Sequence, residues 1–232
     1  MDPRRVVITG VNRGLGRALA ERLVGRGDRV WGTSRSGEAP EGLEACVRLD
    51  LSDEVSIADA ADRIGAGTDG IDLLINSAAA DARSFGAPAG RRGPFDFDAD
   101  TFNAVLDVNV TGPMLVTRHL LPFVRAGRDP MIVNISSQLG SMQVASRKGR
   151  DTAYCVSKAA LNMWSVKSAA ALRPDGIGVV MVHPGWVATD MGGPSADLSI
   201  DESADAIVST IGRLTIADTG RFIRWDGHDH PW

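Results

Sequence analysis

Short apolar runs rich in β-branched residues alternate with longer segments of helical periodicity along this whole chain. The apolar runs cover residues 5–9, 29–33, 46–49, 71–76, 131–136, 177–182 and 221–224. The helical segments cover residues 15–24, 55–64, 101–123, 154–172 and 202–214. Strands and helices alternate in this way when right-handed crossovers join parallel strands. The pattern therefore predicts a doubly wound α/β fold, with a seven-stranded parallel sheet and helices on both of its faces.

Composition limits the classes of protein to which this chain can belong. Its 232 residues include 44% hydrophobic and 23% charged side chains, enough for the core of one large domain, and no linker or repeat divides residues 1–232. A formal net charge of -4 argues against nucleic acid as a partner, because phosphates attract a basic face. The chain has no run of 18 apolar residues, so we expect a cytoplasmic protein without a membrane partner.

Potential metal ligands are sparse in the sequence. The only cysteines, Cys46 and Cys155, are too few for a disulfide framework and lack the spacing of metal ligands. His228 and His230 lie two residues apart near the end of the chain. We interpret them as exposed polar residues, because no third ligand accompanies them. The sequence therefore predicts no metal site.

A glycine-rich loop follows the first predicted strand and leads directly into the first predicted helix. Its residues are Gly10, Val11, Asn12, Arg13, Gly14, Leu15 and Gly16. Glycines here allow a tight turn and let the backbone approach phosphate groups, while the helix N-terminus offers free N–H groups to an anion. The loop therefore predicts a site for the pyrophosphate of a dinucleotide, with an ordinary glycine-rich turn as the alternative.

The end of the second predicted strand indicates which dinucleotide binds. An acidic residue at this position would hold the ribose 2'-hydroxyl of NAD, but the chain has Ser34 followed by Arg35. Arg35 and Arg13 can instead bind a 2'-phosphate, which favours NADP(H) as the cofactor. Two solvent-exposed surface arginines are the alternative. Asp50, after the third strand, is either an acceptor for the adenine amino group or a cap for the next turn.

The single tyrosine of the chain, Tyr154, is followed four residues later by Lys158 within a helical segment. This spacing places both side chains on one helix face. A phenol with a pKa of about 10 becomes an effective acid/base near neutral pH when an ammonium some 4 Å away stabilises the phenolate. The pair therefore predicts a general acid/base that protonates a carbonyl oxygen as hydride reaches the carbon. The alternative is an ordinary amphipathic helix surface.

Further motifs occur in a fixed order around this pair. They are Asn76-Ser77-Ala78-Ala79, Val108-Asn109-Val110-Thr111-Gly112, Asn134-Ile135-Ser136-Ser137, Tyr154-Cys155-Val156-Ser157-Lys158 and Pro184-Gly185-Trp186-Val187-Ala188-Thr189. Together with the glycine loop, they resemble the short-chain dehydrogenase/reductase family, from residue 5 to the end of the chain. Residues 183–193 and 220–227 look most similar to the C-factor and Sniffer-type carbonyl reductases of that family.

The resemblance implies a Rossmann domain and a role for each motif. Tyr154 would be the acid/base, Lys158 would bind the nicotinamide ribose, Ser137 would hydrogen-bond the substrate oxygen and Asn109 would hold a water of a proton relay. Cofactor contacts would also come from Leu51, Asn76, Ala78, Pro184, Gly185, Val187 and Thr189, besides Asp50, Tyr154 and Lys158. The substrate would be a small carbonyl or alcohol, and the chain would form a homodimer or homotetramer through the helices that carry Asn109 and Tyr154.

The interval between Ser137 and Tyr154 is a few residues longer than the family's usual one. This departure leaves open whether Ser136, Ser137 or Ser141 faces the substrate. We interpret the basic residues of this segment and of the loop before the central helix as solvated loop charges, with contact to an anionic substrate as the alternative. They are Arg91, Arg92, Arg147, Lys148 and Arg150.

A proline in the central helix suggests how Asn109 acts. Pro113 lacks the N–H that would bond the carbonyl of the residue four positions earlier, and that residue is Asn109. We expect a kink at residues 112–113 and a relay water on the freed Asn109 carbonyl, with a kink for packing alone as the alternative. A dinucleotide-binding signalling or regulatory protein, whose role does not depend on turnover, remains the alternative to an enzyme.

Overall fold

The computed structural model describes residues 2–88, 92–146 and 149–232. One parallel sheet of seven strands forms its centre, in the order β3-β2-β1-β4-β5-β6-β7. The strands are β1 (Arg5–Thr9), β2 (Arg29–Ser34), β3 (Ala45–Arg48), β4 (Leu73–Asn76), β5 (Met131–Ile135), β6 (Gly178–His183) and β7 (Phe222–Arg224). The predicted sheet is confirmed, and its strands differ from the predicted ranges only near their ends.

Helices cover both faces of the sheet. They are α1 (Gly14–Gly25), α2 (Glu54–Gly65), α3 (Ala99–Leu106), α4 (Gly112–Arg125), α5 (Met142–Ala145), α6 (Thr152–Leu172) and α7 (Ile200–Ile211). One hydrophobic core lies between the sheet and α1 with α7, and the other lies between the sheet and α2, α4 and α6. Within residues 2–88, 92–146 and 149–232, every helix is too short or too polar to cross a lipid bilayer.

Strand β1 shows why its apolar run is continuous rather than alternating. Val6 and Ile8 enter the core under α1 and α7, whereas Val7 enters the core on the opposite face. All three side chains are fully buried. A strand covered by helices on both faces needs apolar residues at every position.

The order of the strands fixes where a ligand crevice opens. The chain winds outward through β2 and β3 on one side of β1, and then continues through β4 to β7 on the other side. Loops that leave the carboxyl ends of β1 and β4 diverge at this reversal of direction. In doubly wound sheets, such a point is where nucleotides bind.

The predicted helix over residues 101–123 is interrupted in the structure. Helix α3 passes into one π-helical turn, Asp107–Thr111, before α4 begins at Gly112. The Gly112 N–H bonds the Asp107 carbonyl, five residues back, immediately before Pro113. The sequence located the irregularity correctly, but it takes the form of a π turn, a distortion that is frequent at functional sites.

Candidate active site

The glycine loop is held against the turn that follows β4. Thr9 Oγ1 accepts the backbone N–H groups of Ser77 at 3.0 Å and Ala78 at 3.2 Å. Gly10 has φ +80, and a Cβ atom at this position would lie 2.9 Å from Cβ of Ala78. Gly10 is therefore required both by its backbone conformation and by the close approach of the two loops.

The same loop forms a cradle at the N-terminus of α1. A Cβ atom on Gly16 would lie 2.2 Å from the Gly10 carbonyl oxygen, so the helix can start this close to β1 only with glycine there. Arg13 is the N-cap residue, and its side chain does not bond the helix's first N–H groups. A glycine cradle beneath a helix N-terminus with no side-chain cap suits a pyrophosphate. The described residues at this point therefore fit a dinucleotide.

The loop after β6 closes the other side of this crevice. A Cβ atom on Gly14 would lie 3.7 Å from Thr189 Cγ2, which places the Thr189 side chain beside the glycine loop. Gly185 has φ +90, and Val187 is buried. The Pro184 carbonyl accepts the Ser203 hydroxyl at 2.7 Å, which fixes the loop to α7. Thr189 therefore lies beside the glycine loop, and cofactor contact by Pro184, Gly185 and Val187 stays a prediction.

The predicted cofactor-selecting residues lie at the surface around the ends of β1 to β3. Arg35 is exposed, and Arg13 forms an ion pair of 2.6 Å with Asp190. Asp50 Oδ1 accepts the Ser52 N–H and hydroxyl, and these bonds lower the pKa of its carboxyl, as does the charge of Arg35 to a smaller extent. The capping role predicted for Asp50 is present, and the structure leaves adenine binding as a prediction.

Two further predicted contact residues, Leu51 after β3 and Asn76 at the end of β4, are buried. Leu51 is buried against Gly112, where a Cβ atom would lie 2.8 Å from Leu51 Cβ. Asn76 is buried at the end of β4, and its amide donates to Asn134 Oδ1 at 2.8 Å. Its own Oδ1 has no hydrogen-bond partner among the described residues. A buried acceptor without a partner is uncommon and is available to a ligand.

Ser137 is the serine that faces the tyrosine. Its side chain lies close enough to Tyr154 to oppose the rise in the tyrosine pKa, and its Oγ accepts the Leu139 N–H at 3.1 Å. Ser136 instead donates to Asn162 Oδ1 at 2.6 Å in the protein interior, and Ser141 caps α5 through the Val144 N–H at 3.1 Å. Of the three serines, Ser137 is therefore the one beside Tyr154, and its contact with the substrate stays a prediction.

Lys158 lies one helical turn beyond Tyr154 on α6, fully within the protein. Its Nζ donates to the Ile135 carbonyl at 2.9 Å and lies 5.6 Å from the centre of the Tyr154 ring. The carbonyl belongs to the last residue of β5, so Lys158 ties the tyrosine's helix to the end of the central strand. The structure brings together the tyrosine, the lysine and the serine of the predicted site.

The electrostatics of this group differ from the sequence expectation. Burial raises the pKa of Tyr154 above that of a free phenol, an effect that the hydrogen bond with Ser137 opposes. Burial also lowers the pKa of Lys158 to about 7. The expected lowering of the tyrosine pKa by a nearby ammonium is therefore wrong for these residues alone, because removal from water disfavours both charged forms.

Asn109 is completely buried and its side chain is fully used in packing the site. Oδ1 accepts the Ala80 N–H at 2.8 Å, and Nδ2 donates to the Ala80 carbonyl at 2.7 Å and to Ser157 Oγ at 3.0 Å. The Ser157 hydroxyl in turn donates to the Tyr154 carbonyl at 2.8 Å. Asn109 thus links the turn after β4 to the helix that carries Tyr154.

His183 is a site residue that the sequence did not reveal. It is buried at the end of β6, and its Nδ1 accepts the N–H groups of Gln138 at 3.2 Å and Gly185 at 3.3 Å. Burial is the main cause that lowers the pKa of His183 to about 3, with smaller contributions from His230 and Arg224. A neutral histidine therefore holds the segment after Ser137 to the cofactor-side loop.

A small cavity that is partly open to solvent lies beside Tyr154. The side chains of Phe97, Phe102, Ala82 and Ala153 provide its apolar wall, and charged residues line the rest. The charged residues are Asp81, Arg92, Asp98 and Asp151.

Two predictions about outlying residues are wrong. Arg92 is not a solvated loop charge, since its side chain is mostly buried and paired with Asp151 at 2.9 Å. His230 is not exposed, because its ring packs against His183 and Phe222. Arg91, Arg147 and Lys148 lie outside the described residues. No group of three potential metal ligands occurs in the part of the chain that the structure describes.

A Rossmann sheet with a glycine cradle at its switch point and a Tyr-Lys-Ser group define a dinucleotide-binding protein of the oxidoreductase class. The family model described as short chain dehydrogenase matches residues 4–198, and the chain belongs to that family.

Similar proteins come from several organisms. The C-signal protein of Myxococcus xanthus is 38% identical over 137 residues, which cover 59% of this chain and 82% of that protein. The crystal structure of NADPH-bound carbonyl reductase from chicken fatty liver has a TM-score of 0.87 and 29% identity, with 100% of both chains covered. Carbonyl reductase Sniffer of D. melanogaster has a TM-score of 0.87 and 28% identity, covering 99% of this chain and 100% of that chain.

Proposed function

We propose that this protein is an NADP(H)-dependent reductase of small carbonyl compounds, reversible toward the corresponding alcohols. The observation that carries the proposal is the grouping of Ser137, Tyr154 and Lys158, in which Lys158 Nζ lies 5.6 Å from the centre of the Tyr154 ring and Tyr154 lines a cavity. Similarity over the whole chain to the NADPH-bound carbonyl reductase from chicken fatty liver supports it. The glycine cradle supports binding of a dinucleotide.

The cofactor would be held by the crevice described above. The N–H groups at the start of α1 would bind its pyrophosphate, and Arg35 with Arg13 would bind a 2'-phosphate. Lys158 would bind the nicotinamide ribose, and Thr189 would contact the carboxamide. When bound, NADPH supplies the hydride for reduction.

Tyr154 provides the proton that carbonyl reduction needs. Because burial raises its pKa, the phenol carries its proton at neutral pH, which is the form required of a general acid. An oxygen that develops alkoxide character is a far stronger base than the phenolate, so the proton moves to it from Tyr154. Ser137, which lies beside the same phenol, would donate to that oxygen.

Lys158 and Asn109 return a proton to the Tyr154 phenol after it has been given to the substrate. A lysine with a pKa of about 7 exchanges protons readily near neutral pH, and its ammonium form stabilises negative charge on the adjacent phenol. Because the Asn109 side chain is fully bonded, we assign the relay water to its backbone carbonyl, which lies in the π turn before Pro113.

The experiment is a measurement of NADPH oxidation with a panel of aldehydes and ketones. We expect turnover by the wild type and a loss of at least about 10³-fold in kcat for Tyr154→Phe, which removes the only hydroxyl able to act as the acid. The dissociation constant for NADPH, measured by fluorescence titration, should stay within about twofold. Equal rates for the two proteins would overturn the assignment of Tyr154.

A signalling role is the second candidate, and the identity with the C-signal protein favours it. Such a protein would bind the dinucleotide without depending on turnover. Full biological activity of Tyr154→Phe with cofactor still bound would select this candidate.

We also expect the chain to form an oligomer. Met114 on α4 and Met163 with Val156 on α6 are exposed apolar residues on the two helices that are expected to pair subunits. Sedimentation measurements would test that state.

A further inference from the structure

Helix α6, which carries Tyr154, begins in an unusual way. Its N-cap residue, Asp151, has φ 57 and ψ 38, one of two non-glycine positive φ values among the described residues. Aspartate at an N-cap normally bonds the first N–H groups of the helix from an extended backbone. Here the Asp151 side chain makes no such bond. The start of the helix therefore gives up a favourable cap and adopts a left-handed conformation.

The Asp151 carboxylate is used instead to bind Arg92, which precedes α3. Nη1 of Arg92 lies 2.9 Å from Asp151 Oδ1, and the Arg92 side chain is only 14% exposed. The backbone of Arg92 adds a second contact, because its carbonyl accepts the Thr152 N–H at 3.0 Å. Arg92 thus binds both the Asp151 side chain, just before the helix, and the Thr152 N–H, the first within it.

This double contact acts directly on the turn that contains Tyr154. The Asp151 carbonyl accepts the Cys155 N–H at 2.9 Å, so Asp151 and Tyr154 belong to the same helical turn. Arg92, Asp151 and Tyr154 also line the same cavity. A rotation of the first turn of α6 would move the phenol away from Ser137 and from the space beside it.

We propose that Arg92 and Asp151 are positioning residues for the Tyr154 hydroxyl, acting through the start of α6. The proposal rests on the proposed function only for its kinetic readout. The ion pair selects the left-handed conformation of Asp151 and thereby sets the angle at which the tyrosine enters the cavity. Reacting groups must be held to within a fraction of an ångström, since displacement by about 1 Å can cost 100-fold in rate.

The test uses four single variants, the double variant Asp151→Gly/Arg92→Ala and a matched control pair. Asp151→Gly keeps the positive φ without strain but removes the carboxylate, whereas Asp151→Asn keeps a hydrogen-bonding side chain without the charge. Arg92→Ala removes the guanidinium and Arg92→Lys keeps its charge. The control is the pair Arg125 and Asp175, which has the same 2.9 Å separation and an aspartate 36% exposed, against 38% for Asp151. This pair joins the end of α4 to the turn after α6, and neither residue lines the cavity beside Tyr154.

The expected kinetic result is a loss confined to turnover. Asp151→Gly and Arg92→Ala should each lower kcat by about tenfold or more, with NADPH affinity unchanged, and the double variant should be no slower than either single variant. Arg92→Lys and Asp151→Asn should recover part of the rate. Asp175→Gly and Arg125→Ala should leave kcat within about twofold. Additive losses in the double variant, or an equal loss in the control pair, would overturn the proposal.

A second readout does not require turnover. The chain has one tyrosine, so protein labelled with ¹³C at the tyrosine Cζ gives a single resonance from Tyr154. We expect this resonance to shift or split in Asp151→Gly and Arg92→Ala and to stay unchanged in Asp175→Gly. If no carbonyl compound is reduced by the wild type, the proposed function fails while this measurement still decides the positioning role. An unchanged resonance in all variants would contradict that role.

Discussion

The side chain of Ser137 lies beside that of Tyr154, 17 positions later in the sequence, and joins the segment after β5 to the start of α6. The Leu139 N–H, 3.1 Å from Ser137 Oγ, holds the serine in this orientation. Tyr154 lines the cavity, and Ser137 lies next to it. A carbonyl oxygen placed between them would receive one hydrogen bond from each.

This relationship predicts different outcomes for neighbouring serines. Ser137→Ala should lower kcat/KM by about 100-fold, the usual cost of removing one donor to a developing oxyanion, with little change in melting temperature. Ser136→Ala removes the buried bond to Asn162, so it should lower the free energy of unfolding by about 1–2 kcal/mol and affect turnover much less. Steady-state kinetics and denaturant unfolding of both variants provide the measurement. A larger kinetic loss in Ser136→Ala would contradict the assignment.

The π turn before Pro113 predicts a second kinetic effect. Pro113→Ala restores a backbone N–H that can compete for the Asn109 carbonyl, so it should reduce turnover by several-fold and raise the solvent isotope effect on kcat. The matched control is Pro122→Ala, at the other proline inside α4. That variant should leave the isotope effect unchanged. Identical isotope effects in both variants and the wild type would argue against a relay water on this carbonyl.

The parts of the site that depend on spacing within one segment were predictable from the sequence. The glycine loop and the Tyr154–Lys158 pair are of this kind, and the periodicity of apolar residues also gave the sheet. The partners that fix the site were not predictable, since Arg92 is 59 positions from Asp151 and Asn109 is 48 positions from Ser157. Only the folded chain brings such residues together.

Errors about ionisable groups have a related cause. The sequence suggested a tyrosine with a lowered pKa because it showed the lysine four residues away but not the extent of burial. In the folded chain, desolvation is the largest cause of the pKa shift of both Tyr154 and Lys158. His230 was expected to be exposed for the same reason, since the terminal segment returns to pack its ring on His183.

Cofactor choice gives a prediction that does not depend on the substrate. Arg35→Ala should weaken NADPH binding by about tenfold or more and leave NADH binding nearly unchanged, because only NADPH has the 2'-phosphate. Arg13→Ala should have a smaller effect, since Asp190 already occupies its guanidinium in an exposed ion pair. Arg17→Ala, at an exposed arginine on α1 paired with Glu21, is the control. Calorimetric titration measures all three. A similar loss for both cofactors would show that Arg35 does not read the phosphate.

The buried His183 predicts how stability depends on pH. Its pKa is about 3 in the folded protein and about 6.5 when unfolded, so between these values only the unfolded chain binds the proton. The free energy of unfolding should therefore fall as pH decreases from 6.5 toward 3, by roughly 1.4 kcal/mol per pH unit from this group. Protonation of Nδ1 would also break its bonds to Gln138 and Gly185.

His183→Gln offers the comparison for this effect. Glutamine keeps an acceptor for the two N–H groups but does not titrate, so the variant should lose stability at neutral pH and show a shallower decline in acid. Urea unfolding at pH 7.0, 6.0, 5.0 and 4.0 would measure both slopes, where the values are chosen to span the interval between the two pKa values. Because paired carboxylates such as Asp72 add an acid dependence common to both proteins, the difference between the slopes isolates His183. Parallel slopes would mean that the histidine is already protonated in the folded protein.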